Sequence, residues 1–382
     1  MYSKFQNIET PFYYYDTALL EATLKAIRDE IKPYPHFHVH YAIKANANPR
    51  LLSIIQQAGF GVDCVSGGEI QVAINAHFPT NSIVYAGVGK SDKEIIIGLR
   101  NNIFCFNVVE SIPELEVINQ LAVKENTIAN VCLRINPDVS PHTHANIITG
   151  MAENKFGISM ADMEKVIWLA NSLPNIHFKG LHFHIGSQIT NMGDFQLLCD
   201  RINRIQDWLD SHAIRAEIIN VGGGLGIDYQ NPQVNTIPNF KDYFQTYAQY
   251  LHLRPHQSLH FELGRSIVAQ CGTLITRVLY IKQGTYKQFA IVDAGMTDLI
   301  RPALYHAHHK IENISSTAKT YELYDVVGPV CESSDVFDIN IQLPTTQRGD
   351  LLAIHSIGAY GEVMASSYNC RQLPQSLTDK DF

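Results

Sequence analysis

The sequence predicts an α/β protein, a (β/α)8 barrel of the TIM type that is followed by an antiparallel β domain. Up to about residue 262, short apolar stretches alternate with helical patterns, which is typical of a parallel sheet covered by helices. After Arg265, strand-like stretches follow one another with little helix between them. This change of pattern is typical of a separate antiparallel sheet.

Eight stretches before Arg265 are rich in β-branched and aromatic residues and are predicted strands: HVHYAI, GVD, SIVYAG, IFCFNV, NVCLRIN, GLHFHIG, IINVGGG and LHFEL. Helical periodicity lies between most of them, at Pro49–Gln57, Gly68–Asn75, Asp92–Leu99, Ser111–Glu125, Ala161–Asn171, Asp194–His212 and Phe240–Leu251. Eight parallel strands are the number that closes a TIM barrel. A doubly wound open sheet shows the same alternation, and periodicity alone leaves it possible.

The change of pattern also predicts the domain limits. Residues 26–265 form the barrel, residues 266–382 form the β domain, and residues 1–25 pack with the β domain. The predicted strands of the β domain are TLITRVLYI, KQFAIVDAGM, YELYDVVGPVC, VFDINIQL and DLLAIHSIGAY. The stretch after Asn369 has a weak pattern, and we expect it to be loosely attached.

Composition excludes several classes of protein. The 382 residues are 46% hydrophobic and 17% charged, as in a globular protein with a large core. A net charge of -8 without a basic block argues against nucleic acid or an acidic membrane as partner. The first residues lack a basic start followed by an apolar stretch, so we expect no secretory signal, and no apolar run approaches the ~20 residues that cross a bilayer. Seven scattered cysteines without a CxxC pair predict reduced thiols and a cytoplasmic protein.

Catalytic groups of a TIM barrel lie at the carboxyl ends of its strands. Reactive or conformationally permissive residues follow the predicted strands here: Lys44, Asp63, Ser66–Glu69, Gly87, Gly89, Asn107, Arg134, Asn136, His184, Ser187, Gly222–Gly224, Glu262 and Arg265. Each has an ordinary explanation on its own. A lone lysine extends its amine to solvent, three glycines form a tight turn, and a Glu–Arg pair lies on a solvated surface. A desolvated lysine is a nucleophile, however, and glycine amides bind anions.

Alternating histidines raise the question of a metal. His36, His38 and His40 share one strand face, as do His182 and His184, and barrel amidohydrolases place an HxH pair on their first strand. Histidines on a half-buried strand are more often structural, so we expect no metal site. A metal-dependent hydrolase remains a rival class.

Taken together, the segments resemble the fold-type III pyridoxal-phosphate (PLP) decarboxylases, and among them the decarboxylases of diaminopimelate. The resemblance covers nearly the whole chain, in the family's order and spacing. It is carried by YAIKAN, DCVSGGE, YAGVGKSD, FNVVES, LRINPDV, HTHANIITG, KFGI, GLHFHIGSQI, VGGGLGI, ELGR, DAGMTDLIRPALY, GPVCESSD, GAYG and SSYN. Leu263 and Ser334 depart from the family's Pro and Gly, and we expect a changed local backbone there.

The resemblance implies a role for each matching residue. Lys44 would attach PLP covalently, His184 would stack on its ring, and Glu262 would pair with the protonated ring nitrogen. The residues implied around PLP are Lys44, Asp63, His184, Ser187, Gly223, Gly224, Glu262, Gly264, Arg265 and Tyr360. Those implied around the substrate are Arg265, Arg301, Tyr305, Glu332 and Tyr360. Cys331 would protonate the product carbon, because a thiol with an ordinary pKa of about 8.5 is mostly protonated.

The resemblance also implies the reaction and the assembly. We expect decarboxylation of meso-2,6-diaminopimelate to L-lysine by a homodimer whose active sites are shared, Cys331 coming from the second subunit. Related decarboxylases of carboxynorspermidine, ornithine or arginine remain alternatives, although Arg301 and Tyr305 favour a substrate with a distal carboxylate. An amino-acid racemase needs a second proton donor, and CESSD fits the decarboxylase better. A non-catalytic PLP-binding protein would not need Cys331 and Tyr360.

Overall fold

A computed structural model describes residues 2–137 and 155–382, and the HTHANIITG segment lies outside these ranges. The chain forms two compact units. The first, which we call the barrel unit, comprises Leu24–Gly226 and Asn239–Gly264. The second, the sheet unit, comprises Met1–Thr23, Ile227–Pro238 and Arg265–Phe382.

The strands of both units, in chain order, are β1 (Phe12–Tyr15), β2 (Phe37–Ala42), β3 (Gly61–Cys64), β4 (Ile83–Tyr85), β5 (Phe106–Val109), β6 (Ala129–Arg134), β7 (Ile176–His182), β8 (Ile218–Asn220), β9 (Ser258–Leu263), β10 (Gly272–Gln283), β11 (Gln288–Val292), β12 (Ile311–Asn313), β13 (Tyr321–Val327), β14 (Val336–Pro344), β15 (Leu351–His355) and β16 (Gln375–Thr378). Strands β2 to β9 belong to the barrel unit. The others belong to the sheet unit.

The helices are α1 (Thr17–Ile31), α2 (Pro49–Gln57), α3 (Gly67–Asn75), α4 (Asp92–Arg100), α5 (Ile112–Lys124), α6 (Met163–Ser172), α7 (Met192–Ser211), α8 (Phe240–Tyr250), α9 (Arg265–Val268) and α10 (Arg301–Tyr305). Side-chain caps fix several of their starts. Ser66, Ser91 and Ser111 each accept the backbone N–H three residues later, which satisfies a donor that the helix leaves unpaired. In the described ranges no helix is long and apolar enough to cross a membrane.

The eight strands of the barrel unit are parallel and lie in the order β4-β3-β2-β9-β8-β7-β6-β5. A parallel bridge between Val84 and Cys105 joins the two outermost strands, and the Tyr85 amide donates to the Cys105 carbonyl at 3.0 Å. The sheet therefore closes on itself. The barrel is confirmed, and the open doubly wound sheet is excluded.

Aromatic side chains pack the outer helices onto the strands. Tyr243, Phe244 and Tyr247 of α8 surround Phe261 of β9 with ring centroids 5.7, 5.0 and 5.2 Å away, and all four side chains are buried. Each buried aromatic of this size contributes about 1.5–3 kcal/mol relative to exposure. This packing fixes β9, the strand that carries Glu262.

The sheet unit holds an eight-stranded sheet with the path β12-β15-β10-β11-β13-β14. Most pairs are antiparallel, while β11 with β13 and β1 with β16 are parallel. Strand β1 pairs with β10 and β16, so Phe12 lies opposite both Ile275 and Gln375. The expectation that the stretch after Asn369 is loosely attached was wrong, because β16 completes this sheet. Its short, half-exposed strand carries too weak an apolar alternation to be recognised.

A distant carboxylate caps the first long helix. The Asp379 side chain accepts hydrogen bonds from the Thr17 amide at 2.8 Å and from the Thr17 hydroxyl at 2.6 Å, at the first residue of α1. Partial burial opposes ionisation of Asp379, but these bonds outweigh it and leave the pKa below its usual range.

We expect Asp379→Ala to lower the free energy of unfolding by about 1 kcal/mol at neutral pH, the usual effect of losing a cap. Because the pKa of Asp379 is lower in the folded state than in the unfolded state, its ionised carboxylate stabilises the folded protein at pH values above the unfolded pKa. This contribution is lost as the pH falls through the folded pKa. Urea unfolding at several pH values measures the difference. Lys380→Ala, which removes an exposed pair with Glu21, is the control and should change little. Equal stability of Asp379→Ala and wild type at neutral pH would contradict the cap.

Candidate active site

A buried carboxylate lies at the carboxyl end of three neighbouring barrel strands. The Glu262 carboxylate of β9 accepts from His182 Nε2 of β7 at 3.0 Å and from Asn220 Nδ2 of β8 at 2.9 Å. Burial lowers the pKa of His182 well below its usual range, so the ring is neutral and its Nε2–H is the donor. His182 Nδ1 is buried with no hydrogen-bond partner among the described residues. The interior of the barrel thus holds a carboxyl group whose two oxygens are both hydrogen-bonded.

Asp63 and Lys44 lie at the ends of the neighbouring strands β3 and β2. Lys44 belongs to a short 3-10 helix, Ile43–Ala45, whose other two residues are buried while the lysine itself is exposed. Asp63 is buried, and its Oδ1 has no hydrogen-bond partner among the described residues. Burial, and then the charge of Glu262, raise the pKa of Asp63 well above its usual range, against the opposing charge of Lys44. Two carboxyls and one amine therefore share this end of the barrel.

The glycine segment after β8 approaches its neighbours so closely that side chains are excluded. A Cβ at Gly222 would lie 2.6 Å from His184 Nδ1, and one at Gly223 would lie 2.0 Å from the Glu262 carbonyl oxygen. Gly222 and Gly224 also have φ angles of +65° and +107°. The Gly223 amide donates to His184 Nδ1 at 3.2 Å, which requires a neutral imidazole. Burial lowers the pKa of His184 well below its usual range, in agreement with this bond.

The remaining barrel residues of the prediction lie around these groups. Gly264 follows β9 and packs against Ala42 and Ala45, which precede and follow Lys44 in the chain, and a Cβ at Gly264 would lie 3.2 and 3.1 Å from their Cβ atoms. Ser187 lies in the segment that follows β7 and is half-buried. The structure therefore brings together Lys44, Asp63, His184, Gly223, Gly224, Glu262 and Gly264 at one end of the barrel unit.

The sheet unit gathers two buried arginines among three tyrosines. Arg265 donates to the Tyr229 hydroxyl at 2.6 Å, and the Tyr360 ring lies 5.1 Å from the Arg265 guanidinium and 5.7 Å from that of Arg301. Tyr305 lies 5.9 Å from the Arg301 guanidinium. Burial lowers the pKa of Arg301, and the charge of Arg265 lowers it further. Two like charges held together out of water favour an anionic ligand.

His309 is hydrogen-bonded to the Arg301 guanidinium. The Arg301 Nε donates to His309 Nε2 at 3.3 Å, and His309 Nδ1 is 2.9 Å from the His355 carbonyl oxygen. Burial, and then the charge of Arg301, lower the pKa of His309 to about 3. The neutral ring donates from Nδ1 and accepts at Nε2, so it orients the guanidinium without adding charge.

Cys331 and Glu332 lie on the loop between β13 and β14, and both side chains are exposed. Tyr368 donates its hydroxyl hydrogen to the Glu332 carboxylate at 2.6 Å. Ser334, one of the two departures from the family pattern, approaches the same carboxylate at 3.5 Å. The loop presents a thiol and an oriented carboxylate side by side.

Several of the histidines that suggested a metal have other partners in the structure. His38, His40 and His260 form a stacked group, with His40 Nε2 2.8 Å from His260 Nδ1, and His182 is committed to Glu262. Across the described ranges, no group of three or more His, Cys, Asp or Glu side chains is placed to hold a metal ion.

Sequence reasoning missed the residues that hold the others in place. Asn220, His182, Tyr229, His309 and Tyr368 each bond a candidate residue but were not selected as site residues. His182 and Asn220 had a usable signal, since each is a polar residue within a predicted apolar strand. Tyr229 and His309 lie in irregular segments that no pattern marks.

The residues of the barrel unit fit pyridoxal phosphate. A buried carboxylate suits a protonated ring nitrogen, a neutral histidine suits the ring face, and a lysine follows the adjacent strand. The glycine segment is a cradle that any Cβ would fill. Asp63 Oδ1 and His182 Nδ1 are buried and have no hydrogen-bond partner in the part of the chain that the structure describes, and a bound polar group could satisfy such atoms.

Comparison with known proteins agrees with this fit. Residues 18–269 match the family described as "Pyridoxal-dependent decarboxylase, pyridoxal binding domain". The chain is 64% identical to diaminopimelate decarboxylase of Bacteroides thetaiotaomicron, over 99% of this chain and 98% of that protein. It is 41% identical to the enzyme of that name from Vibrio cholerae, over 95% and 85% of the two chains. A crystal structure of diaminopimelate decarboxylase from Helicobacter pylori complexed with L-lysine superposes with a TM-score of 0.93, at 39% identity over 99% of this chain and 94% of that one.

We expect Gly223→Ala to lower the free energy of unfolding by about 1–3 kcal/mol, the usual effect of forcing an extra carbon into a packed interior. The reason is the 2.0 Å approach of the new Cβ to the Glu262 carbonyl oxygen. Gly89→Ala is the matched control, because a Cβ there meets nothing within 4 Å. Chemical unfolding of the two variants measures the difference. Two variants of equal stability would show that the glycine segment is not as tightly packed as described.

Proposed function

The chain belongs to the diaminopimelate decarboxylase family of pyridoxal-dependent enzymes, and we propose that it decarboxylates meso-2,6-diaminopimelate to L-lysine and carbon dioxide. It is a PLP-dependent amino-acid decarboxylase with an amino-acid substrate. The observation that carries the proposal is the buried Glu262 carboxylate, which His182 and Asn220 hold at the barrel end next to Lys44.

When bound, PLP stores the electron pair that remains on the substrate carbon after carbon dioxide leaves. Glu262 would keep a proton on the ring nitrogen, since a nearby negative charge favours the protonated form. Lys44 would hold the cofactor covalently and His184 would cover its ring. Asp63, Ser187, Gly223, Gly224 and Gly264 complete the proposed cofactor set, and the phosphate roles of Arg265 and Tyr360 stay predictions.

Substrate choice would depend on Arg301. Diaminopimelate carries a second amino-acid head, whose carboxylate suits a guanidinium in bidentate geometry. His309 orients Arg301, and Tyr305 and Tyr360 lie beside it. Glu332, held by Tyr368, would pair with the distal amine. A decarboxylase of ornithine, arginine or carboxynorspermidine is the alternative, and a site for a distal ammonium alone would favour acidic side chains in the place of Arg301.

Cys331 would supply the last proton. After carbon dioxide leaves, the substrate carbon takes one proton to become the product, and the thiol of Cys331 is the proposed donor. Its exposure is in keeping with a site completed by a second subunit, so we propose a homodimer with shared active sites. The functional limits 26–265 and 266–382, with residues 1–25 joined to the β domain, and the cytoplasmic location are further parts of this proposal.

Carbon dioxide release from a panel of amino acids tests the proposal directly. Wild-type enzyme should act on meso-diaminopimelate and far less on lysine, ornithine and arginine. Arg301→Leu should lose about 1.5–3 kcal/mol of transition-state binding for diaminopimelate, the usual value of a hydrogen bond to a charged group. Its kcat/KM for substrates without a distal carboxylate should change little. A preference of the wild type for ornithine, or an equal loss on every substrate, would contradict the assignment.

Shared active sites predict complementation between two inactive variants. Lys44→Ala and Cys331→Ala homodimers should both be poor enzymes. With random mixing, half of the dimers are heterodimers with one intact site of two, so roughly a quarter of wild-type activity should return. Mass measurement of the dimers confirms the exchange. No recovery despite exchange would place both residues of each site on one chain, and would leave the PLP assignment standing.

A further inference from the structure

We propose that Asp335 is a positioning residue for the reaction, because it holds the loop that presents Cys331. The inference rests on the proposed function, which makes Cys331 the proton donor. It concerns only residues of the sheet unit. The side chain of Asp335 is buried.

The carboxylate of Asp335 gathers backbone donors from two segments. One oxygen accepts from the Val330 amide at 2.7 Å, directly before Cys331, and the other accepts from the Met296 amide at 2.6 Å. Hydrogen bonds to a buried charged acceptor are stronger than neutral ones. The two bonds therefore tie the start of the Cys331 loop to the segment between β11 and α10.

The backbone of Asp335 closes the same loop. Its carbonyl oxygen accepts from the Gly328 amide at 3.0 Å, and its amide donates to the Glu332 carbonyl oxygen at 3.1 Å. Asp335 is therefore hydrogen-bonded to the loop at three residues: Gly328, Val330 and Glu332. Cys331 lies between two of these points, so its backbone is restrained although its side chain is exposed.

Close packing around the carboxylate explains two glycines. A Cβ at Gly328 would lie 2.3 Å from one carboxylate oxygen of Asp335, and one at Gly295 would lie 3.1 Å from it. Gly328 does not have a positive φ angle, so its backbone conformation does not require glycine. Glycine is needed there because any side chain would collide with the Asp335 carboxylate. An aspartate fits this space and accepts both bonds. Asparagine has the same shape, but its amide group can accept only one of them.

The first test is Asp335→Asn. We expect kcat on meso-diaminopimelate to fall roughly a hundredfold, the size of effect that a 1 Å displacement of a catalytic group produces. Amide hydrogen exchange should rise by roughly tenfold or more in peptides that cover Val330 and Met296, and should stay unchanged in barrel peptides. Gly328→Ala should reproduce both results, because its Cβ would displace the carboxylate.

Asp338→Asn is the matched control. Asp338 lies three residues later on β14, bonds its neighbour Ile339 and pairs with His308, outside the loop. The Asp338→Asn variant should have the same kcat and the same amide hydrogen exchange as the wild type. Asp335→Asn with the kcat and exchange of the wild type would overturn the inference. So would faster exchange throughout the protein, which would show a general structural role.

A double-mutant cycle with Cys331→Ala separates this inference from the proposed function. If Asp335 acts through the thiol, Asp335→Asn should change the kcat of Cys331→Ala by no more than about twofold. Losses that multiply would show that Asp335 acts independently of Cys331, and would overturn the inference. Wild-type kcat for Cys331→Ala itself would remove Cys331 from the proposed mechanism. The local hydrogen exchange would still decide whether Asp335 holds the loop.

Discussion

A buried negative charge constrains the active end of the barrel. The Glu262 carboxylate cannot stay ionised inside a protein unless hydrogen bonds replace its water. Two come from His182 and Asn220, on the next two strands. Both side chains reach Glu262 because of the strand register: His182 lies opposite Asn220, and Asn220 lies opposite His260. His260 is two residues before Glu262, so the two residues point to the same face of β9. A slip of one residue in either pairing would turn the donors away. The hydrogen bonds to the Glu262 carboxylate therefore depend on the strand register.

The two arginines of the sheet unit show the opposite arrangement. Arg265 and Arg301 are two buried positive charges held close to each other. Tyrosine rings and hydroxyls and the neutral His309 surround them, which lowers the cost of burial without cancelling the charge. The neutral state of His309 fits this arrangement, because a charged imidazole beside Arg301 would repel the guanidinium.

The sequence predicted the parts that follow from periodicity and missed those that depend on contacts distant in sequence. Helix α2 was predicted at its observed limits, because Asn48 and Pro49 mark its start. The barrel was recognisable from eight apolar stretches, but its closure between Val84 and Cys105 was not, since an open sheet alternates in the same way. Lys44 and Glu262 stand at strand ends and could be selected. Tyr229 and His309 acquire their roles only when separate segments meet, and β16 has too little apolar character to identify a strand.

The pairing of β1 with β16 affects the order in which the protein can fold during its synthesis. Phe12 lies opposite Gln375, so nearly the whole chain separates two neighbouring strands. On the ribosome, at about 5–20 residues per second, the first strand waits roughly 20–70 s for that partner. Its aromatic run, Phe12–Tyr15, is exposed to aggregation meanwhile unless β10 shields it earlier. The barrel strands are all translated within that interval and pair mostly with sequence neighbours. Co-translational folding should therefore finish the barrel first, with the non-local sheet as the slow, chaperone-dependent step.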